Sequence, residues 1–266
     1  INQIILIYLP NWLVHFLLSA HILYQKKTVF LKFETLSGKD MEIYCKNNGK
    51  TESFNPGVTF TEIFSTMGIT LRSCPMCVYA NGIVKDMEAK VYEDCDVEFL
   101  DATTSTGARS CLLGLVFVLY KAVTELYPGG RIRVSNAISK GFYCPVEIGR
   151  QLTDDDVTLI SERMGSIIGR CIPFVKHTAH TAQVADIMEE SGRKDNARLL
   201  RSIGTIYSSY YTLEDLPDWF FGVLPPHTGC LKVFGLEPMA GGVLVRLPDK
   251  NNPEQLEPLV RQDKMF

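Results

Sequence analysis

Residues 111–143 read CLLGLVFVLYKAVTELYPGGRIRVSNAISKGFY, and this stretch decides the fold. Residues 112–126 place apolar side chains on two adjacent helical faces and leave Lys121 and Glu125, an i,i+4 pair, pointing outward. The pattern predicts a helix buried on most sides. Tyr127-Pro-Gly-Gly ends it, and alternation in residues 131–134 predicts a strand with a hairpin-like return at the Gly-Phe-Tyr turn of residues 141–143. A central helix with sheet around it is therefore expected.

Composition sets limits on the fold and the compartment. The chain has 266 residues, 46% of them hydrophobic, which is enough for a sizeable core and two modest domains. Its net charge of -3 disfavours a mainly electrostatic nucleic-acid binder. The eight cysteines are scattered, and several fall in apolar runs where a reduced thiol acts as a small buried hydrophobe. A cytoplasmic, reducing compartment is expected.

The first 40 residues differ from the rest of the chain. Residues 4–24 are apolar apart from Pro10, Asn11 and a few other positions, and no charge occurs before Lys26 and Lys27. The length approaches that of a membrane-spanning helix, so a membrane-tethered interaction module is one hypothesis. We favour the other interpretation, a misplaced start ahead of a domain that begins at Met41. A membrane partner is then not expected.

Residues 41–102 carry the pattern of a small β-grasp, ubiquitin-like domain. Residues 41–46 alternate, an Asn-Gly turn follows, residues 51–56 return, and Thr59 caps a short helix that Gly68 ends. A second hairpin turns at Asn81-Gly82, and residues 96–101 form a closing strand. The segment VYANGIVKDMEAKVYEDCDVEFL resembles the TGS domain found at the amino end of threonyl-tRNA synthetases, which carries no catalytic residues.

A second resemblance covers residues 108–248, after a short polar linker at residues 103–107. It rests on a helix ending in Tyr-Pro, a short strand, Gly-Phe-Tyr, and a helix that Thr153 caps with three aspartates in its first turn. It continues through SGRKDNARLLRSIG and FFGVLPPHTGCLKVF. This order resembles the second additional domain of threonyl- and alanyl-tRNA synthetases, which edits mischarged tRNA in threonyl enzymes. The resemblance implies an α+β chain, with a TGS-like unit followed by an editing-like domain.

The editing motif of that family uses two histidines four residues apart and a distant Cys-x-x-x-His. The resemblance places Leu113, Phe117, Phe220 and Leu224 at those four positions. Apolar side chains supply neither acid-base help nor metal contacts. We therefore expect these residues to close the old pocket as additional core, with no catalytic residue and no cofactor in this chain.

The C-terminal residues carry a third resemblance. Residues 244–266 run from a strand into a Pro- and Asn-rich connector and then a short helix, and residues 249–266 form the connector that follows the second domain. Together with LKVFGLEP, RLPDKNNP and QDKMF, the two modules resemble the amino-terminal half of uridine kinase/phosphoribulokinase-type nucleoside kinases. No GxxxxGK[ST] sequence is present, so ATP and Mg²⁺ are expected only for an absent kinase domain. The resemblance implies a non-catalytic regulatory or ligand-binding region whose partner is that C-terminal kinase domain, and this is our main hypothesis.

The alternative hypothesis is a free-standing trans-editing hydrolase of mischarged threonine-type tRNA. It requires an unrecognised ligand set, for which His177 and His180, at the expected start of a helix, and His227 and Cys230 offer acceptable zinc ligands. Neither pair falls on the family's positions, so we expect no metal. Cys74 and Cys77 form a CxxC that precedes a hairpin, and we expect both to be core.

A basic surface is a weaker signal for a nucleotide or tRNA partner. It comprises residues around the strand and the Gly-Phe-Tyr segment, namely Arg131, Arg133, Lys140 and Arg150. These side chains could contact a phosphate backbone. A merely solvated face is the commoner outcome for four such residues.

Overall fold

The computed structural model describes residues 40–135, 137–138 and 141–258. The apolar segment of residues 4–24, Lys140 and the QDKMF segment lie outside the described residues.

The first unit is a five-stranded mixed sheet with one helix. Its strands are β1 (Met41–Cys45), β2 (Lys50–Phe54), β3 (Cys77–Ala80), β4 (Ile83–Lys85) and β5 (Cys95–Leu100), in the order β2-β1-β5-β3-β4. Strands β1 and β5 are parallel, and the other pairs are antiparallel. Each predicted strand of this unit is present.

Local sequence explains the elements of this unit. Helix α1 (Phe60–Thr66) begins with a capping box between Thr59 and Glu62, which satisfies two free backbone N–H groups. Asn81 and Gly82 have φ values of 49° and 79°, as the two-residue turn between β3 and β4 requires. In β1 the buried and exposed side chains alternate, so that Ile43 faces the helix.

Helix α2 (Ser105–Leu126) is the buried centre of the molecule, as predicted, but it begins seven residues earlier than residue 112. The Thr104 hydroxyl accepts a hydrogen bond from the Gly107 N–H and so starts the helix within the expected linker. Among the described residues, α2 is the one helix long and apolar enough to cross a membrane, and most of it is buried inside the protein. Such burial is typical of a core helix.

The prediction that Lys121 points outward is wrong. Lys121 is only 6% exposed, and its ammonium nitrogen lies 3.1 Å from a Glu125 carboxylate oxygen and 2.8 Å from one of Glu214. Glu214 comes from a turn that is distant in sequence, so the helical pattern of α2 alone gave no sign of it. The buried charge is thus paired, as burial of an ammonium requires.

A second sheet packs beside α2. It contains β6 (Arg131–Ile132), β7 (Ala137–Ile138), β8 (Gly141–Glu147), β12 (Gly235–Met239) and β13 (Gly242–Arg246), in the order β12-β13-β8-β6 with β7 paired to β8. The Gly-Phe-Tyr segment therefore opens a strand and is not the turn that was predicted. Its backbone pairs with β13, Phe142 opposite Val245, and this pairing holds it extended.

The remaining elements complete the second unit. They are α3 (Asp154–Gly169), β9 (Phe174–His180), α4 (Thr181–Glu190), α5 (Lys194–Ile203), β10 (Tyr207–Leu213), β11 (Leu216–Asp218) and the 3-10 helix Thr228–Leu231. The Thr153 cap of α3 is confirmed. His177 lies within β9 and does not begin a helix, because β9 pairs along its whole length with β10.

One hydrophobic core joins the two units. Met76, Cys77 and Leu100 from the first sheet belong to the same buried cluster as the apolar side chains of α2. The fold is α+β with mixed sheets, as expected. Cys77 is core, as the sequence predicted.

Candidate functional site

The four apolar positions assigned from the editing motif belong to one region of the core. The Phe117 ring lies 5.1 Å from that of Phe220, centroid to centroid, and Leu224 is 1% exposed. Leu113 approaches Gly222 so closely that a Cβ on that glycine would lie 2.7 Å from the Leu113 Cδ1 atom. None of these side chains can ligate a metal, so no chemical step passes through a metal at these positions.

Beside this apolar cluster lies an open cavity of about 360 Å³. It is bounded by strand β4, the first turns of α2 and the loop after Phe220, and its lining residues are Val84, Thr106, Arg109, Ser110, Phe221, Gly222 and Val223. This cavity therefore lies next to the four predicted positions but is lined by other residues.

Arg109 and Phe221 form the exposed edge of the cavity. Arg109 Nη2 donates a hydrogen bond of 3.1 Å to the Phe221 carbonyl oxygen, and Phe221 is 78% exposed. The exposed Phe221 ring offers a stacking surface, and the Arg109 guanidinium on the Phe221 main chain adds a positive charge to the same edge. Nothing in the sequence pattern distinguished Arg109 from any other polar residue in the first turns of a helix.

Two hydroxyls in the cavity wall are held by partners. The Thr106 hydroxyl and that of Tyr79 share a hydrogen bond of 2.8 Å, and the Ser110 hydroxyl donates to the Met76 carbonyl at 3.3 Å. The residues that line the cavity include no carboxylate, imidazole or thiol within the described ranges. The arrangement can position a ligand and supply positive charge, but it lacks a general base.

The basic residues suggested by the sequence are largely engaged. Arg133 Nη2 lies 2.9 Å from Glu147, and the two terminal nitrogens of Arg150 donate to Asp156 at 2.6 and 2.7 Å. The Arg150 guanidinium holds the pKa of Asp156 far below its usual range. Arg131 is exposed on β6.

The histidines and cysteines group differently from the proposed ligand set. The His177 ring stacks on Tyr210, and its Nε2 lies 3.0 Å from the Thr212 hydroxyl. The His180 and Tyr207 rings pack edge to face, with their centroids 5.5 Å apart. Both therefore have partners within the β9–β10 pair and are not part of the cluster around His227.

The potential ligand atoms of Cys74, His227 and Cys230 lie within 4.8 Å of one another. The structure joins Cys74 to Cys230 in a disulfide, so Cys74 is not simply core as was expected. The two cysteines are 156 residues apart, and no local pattern could have paired them. His227 is half-buried, and desolvation lowers the pKa of its imidazole, which favours the neutral form.

Comparisons with known proteins point to one class of enzyme. No family model matches the chain. A threonine–tRNA ligase from Methylobacillus flagellatus is 26% identical over 195 residues, which is 73% of this chain and 31% of the ligase. Threonine–tRNA ligases from Rhodospirillum rubrum and Marinobacter nauticus are 28% and 24% identical over 73% and 76% of the chain. The chain spans about a third of the length of these relatives.

These relatives contradict the main hypothesis from the sequence. The prediction of a regulatory region of a uridine kinase-type nucleoside kinase is wrong, because the matching proteins are threonine–tRNA ligases. The kinase partner and the ATP and Mg²⁺ assigned to it rested on that prediction and are withdrawn with it. Short C-terminal strings such as RLPDKNNP carried too little of the chain to decide the family.

Proposed function

We propose that this chain acts on tRNA as an editing-type module, binding the aminoacylated 3′ end of a mischarged threonine-type tRNA and promoting hydrolysis of its ester. The observation that carries the proposal is the cavity beside Phe117 and Phe220, with Arg109 and Phe221 at its exposed edge. The likeness to threonine–tRNA ligases over 73% of the chain supports a tRNA substrate.

Two residues at the edge of the cavity suit such a ligand. Phe221 offers a face on which a terminal base can stack, and Arg109 offers a positive charge for a phosphate or a developing oxyanion. In the reaction, water adds to the acyl carbon, the ester C–O bond breaks, and the ribose oxygen leaves as a hydroxyl. Because the lining residues include no general base, the protein contributes orientation and charge.

The finer fold assignment supports the same function. We infer that residues 41–102 form a TGS-like β-grasp unit and residues 108–248 an editing-like domain. The order β2-β1-β5-β3-β4 with β1 and β5 parallel in the centre supports the first assignment, since it places the two terminal strands side by side. A cytoplasmic location fits a tRNA substrate and the buried free thiols of Cys45, Cys95 and Cys111.

The test is deacylation, by the full chain, of threonine-specific tRNA that carries serine. The same tRNA correctly charged with threonine is the comparison. We expect release of serine above the spontaneous rate. Arg109→Ala should lower the rate by about 100-fold if the guanidinium stabilises the oxyanion. Arg198→Ala is the matched control, because Arg198 is exposed on α5 and does not line the cavity.

Absence of both turnover and tRNA binding in the unaltered chain would contradict the proposal. Equal losses in Arg109→Ala and Arg198→Ala would assign the effect to general charge and so overturn the cavity as the site. Binding without hydrolysis would remove the catalytic half of the proposal.

A further inference from the structure

A cluster of metal-ligand type lies away from the Arg109 cavity. Cys74 precedes β3, while His227 immediately precedes the 3-10 helix Thr228–Leu231 and Cys230 lies within it. The His227 Nε2 lies 3.8 Å from the Cys230 Sγ, and all three ligand atoms lie within 4.8 Å of one another. With bonds of about 2.3 Å to sulfur and about 2.0 Å to nitrogen, a tetrahedral zinc site has S···N edges of roughly 3.6 Å.

The turn between the two C-terminal ligands is built tightly. A Cβ on Gly229 would lie 2.5 Å from the Cys171 Sγ and 2.9 Å from the His227 Nδ1, so only glycine fits there. The Nδ1 atom is buried and has no hydrogen-bond partner within the described part of the chain. The other ring nitrogen, Nε2, faces the Cys230 sulfur at 3.8 Å and is therefore the nitrogen that the ring offers to a metal.

We propose that Cys74, His227 and Cys230 form a redox-gated zinc site, in which reduction of the Cys74–Cys230 disulfide frees two thiols that bind Zn²⁺ together with the His227 imidazole. Three protein donors leave one position of a tetrahedral ion for water or another small ligand. The site is independent of the proposed action on tRNA, since none of its three residues lines the Arg109 cavity.

The exchange balances in electrons and protons. A dithiol reductant supplies two electrons and two protons to the S–S bond, which becomes two thiols while the reductant becomes a disulfide. Zn²⁺ then displaces the two thiol protons and binds the resulting thiolates. The His227 imidazole binds through its Nε2 atom, which faces the Cys230 sulfur.

The disulfide form and the zinc-bound form of the site connect the same two units of the fold. Cys74 belongs to the first unit, and Cys230 lies in the second unit where the 3-10 helix packs near Gly114 of α2. The disulfide and the zinc ion therefore join the units in oxidising and reducing conditions respectively. This gives a reason for a cross-link over 156 residues that does not depend on an oxidising compartment.

The experiment titrates metal into the full chain before and after reduction. The protein is reduced with a non-chelating phosphine and desalted without oxygen, and Zn²⁺ is then titrated against a chromophoric chelator. Co²⁺ serves as a spectroscopic substitute in a parallel sample. We expect one zinc per chain and the thiolate-to-cobalt and tetrahedral d–d absorption bands in reduced protein only.

His227→Gln is the diagnostic variant, because it keeps both cysteines and the disulfide while removing the nitrogen ligand. In reduced protein it should weaken zinc binding by more than the 10–100-fold typical of losing an outer-shell partner. Cys171→Ser is the matched control, since Cys171 is an exposed free thiol near Gly229 but outside the three-residue cluster. It should keep stoichiometric zinc.

Three results would overturn the site. The first is reduced, folded wild-type protein that takes up no zinc or cobalt. The second is equal zinc uptake by oxidised and reduced protein. The third is the same loss of affinity in Cys171→Ser as in His227→Gln, which would indicate non-specific thiol binding. The wild-type comparison requires no substitution and therefore stands even if a variant fails to fold.

Discussion

Lys176 and Asp86 form an ion pair that links the two units, with the lysine Nζ 2.6 Å from the Asp86 Oδ2. Asp86 follows β4 in the first unit, and Lys176 lies on β9 in the second. The buried Tyr211 hydroxyl donates a hydrogen bond to the other carboxylate oxygen, Oδ1. Burial raises the pKa of Tyr211, so its hydroxyl stays protonated and able to donate.

Asp86→Ala should therefore destabilise the whole fold. The substitution leaves the Tyr211 hydroxyl buried without its acceptor, which costs about 1–3 kcal/mol in the free energy of unfolding. Urea denaturation followed by fluorescence measures it. Glu93→Ala is the control, because Glu93 is exposed in the same unit, and it should change the free energy by no more than about 0.5 kcal/mol. A shift no larger than that of the control would mean that the link between the units is not energetically important.

Truncation of two phenylalanines in the same region should change stability by very different amounts. Phe117 is fully buried and packs against the rings of Phe174 and Phe220, whereas Phe221 is 78% exposed. Phe117→Ala should lower the free energy of unfolding by about 3–5 kcal/mol because it opens a cavity in the core. Phe221→Ala should change it by no more than about 0.5 kcal/mol. Thermal and chemical denaturation of both variants provide the measurement, and similar losses in the two would disprove the assignment of Phe117 to the core.

Arg109 and Phe221 should contribute to tRNA binding in distinguishable ways. If Arg109 contacts a phosphate, Arg109→Ala should reduce the slope of log K against log salt by about 1. Phe221→Ala should weaken binding by about 1–3 kcal/mol through lost stacking and leave that slope unchanged. Binding measured by fluorescence anisotropy at several salt concentrations separates the two. An unchanged slope in Arg109→Ala would show that this guanidinium does not contact phosphate.

Asp156 should make stability depend on acidity. Its carboxylate accepts hydrogen bonds from Arg150, Tyr127 and the backbone N–H of Thr153, and the first of these is the main reason that its pKa is lowered in the folded state. A lowered folded-state pKa gives stability that is fully present above the unfolded-state pKa and is lost as the pH falls below it. Between about pH 4 and pH 2 the unfolded chain binds a proton at this residue that the folded chain does not.

Asp156→Asn should accordingly reduce the slope of unfolding free energy against pH in that range. The reduction should correspond to the loss of up to about one proton from the difference in protons bound by the unfolded and folded chains. Denaturant titrations at several pH values measure it. Asp155→Asn is the matched control, because Asp155 is the exposed neighbour in the same helical turn, and it should keep the wild-type slope. A wild-type slope in Asp156→Asn would remove the carboxylate as the source of the acid sensitivity.

The local elements of the fold could be predicted because their signals lie close together in sequence. The caps at Thr59 and Thr153 and the turn at Asn81-Gly82 each involve residues within about one helical turn of each other, and the apolar run of α2 repeats over the same short spacing. Two of the failed predictions depended on distant partners. Lys121 is buried because Glu214 reaches it, and the Gly-Phe-Tyr segment is a strand because β13 pairs with it.

The site was only partly predictable. The resemblance to an editing domain placed Phe117 and Phe220 in one region, and their rings are in contact in the structure. It could not identify Arg109 and Phe221, because an arginine in a helix and an aromatic residue in a loop have no distinctive spacing. The pairing of Cys74 with Cys230 was likewise hidden by 156 intervening residues.

The sequence by itself determined the strands and the helix of the first unit, the buried character of α2 and the apolar character of the four motif positions. These properties follow from backbone preference and hydrophobic periodicity, which act over a few residues. The tertiary structure alone decided which charges pair, which cysteines meet and where a cavity remains. Those outcomes depend on how elements far apart in the chain pack, since ion pairs, sulfur contacts and cavities form between surfaces that only folding brings together.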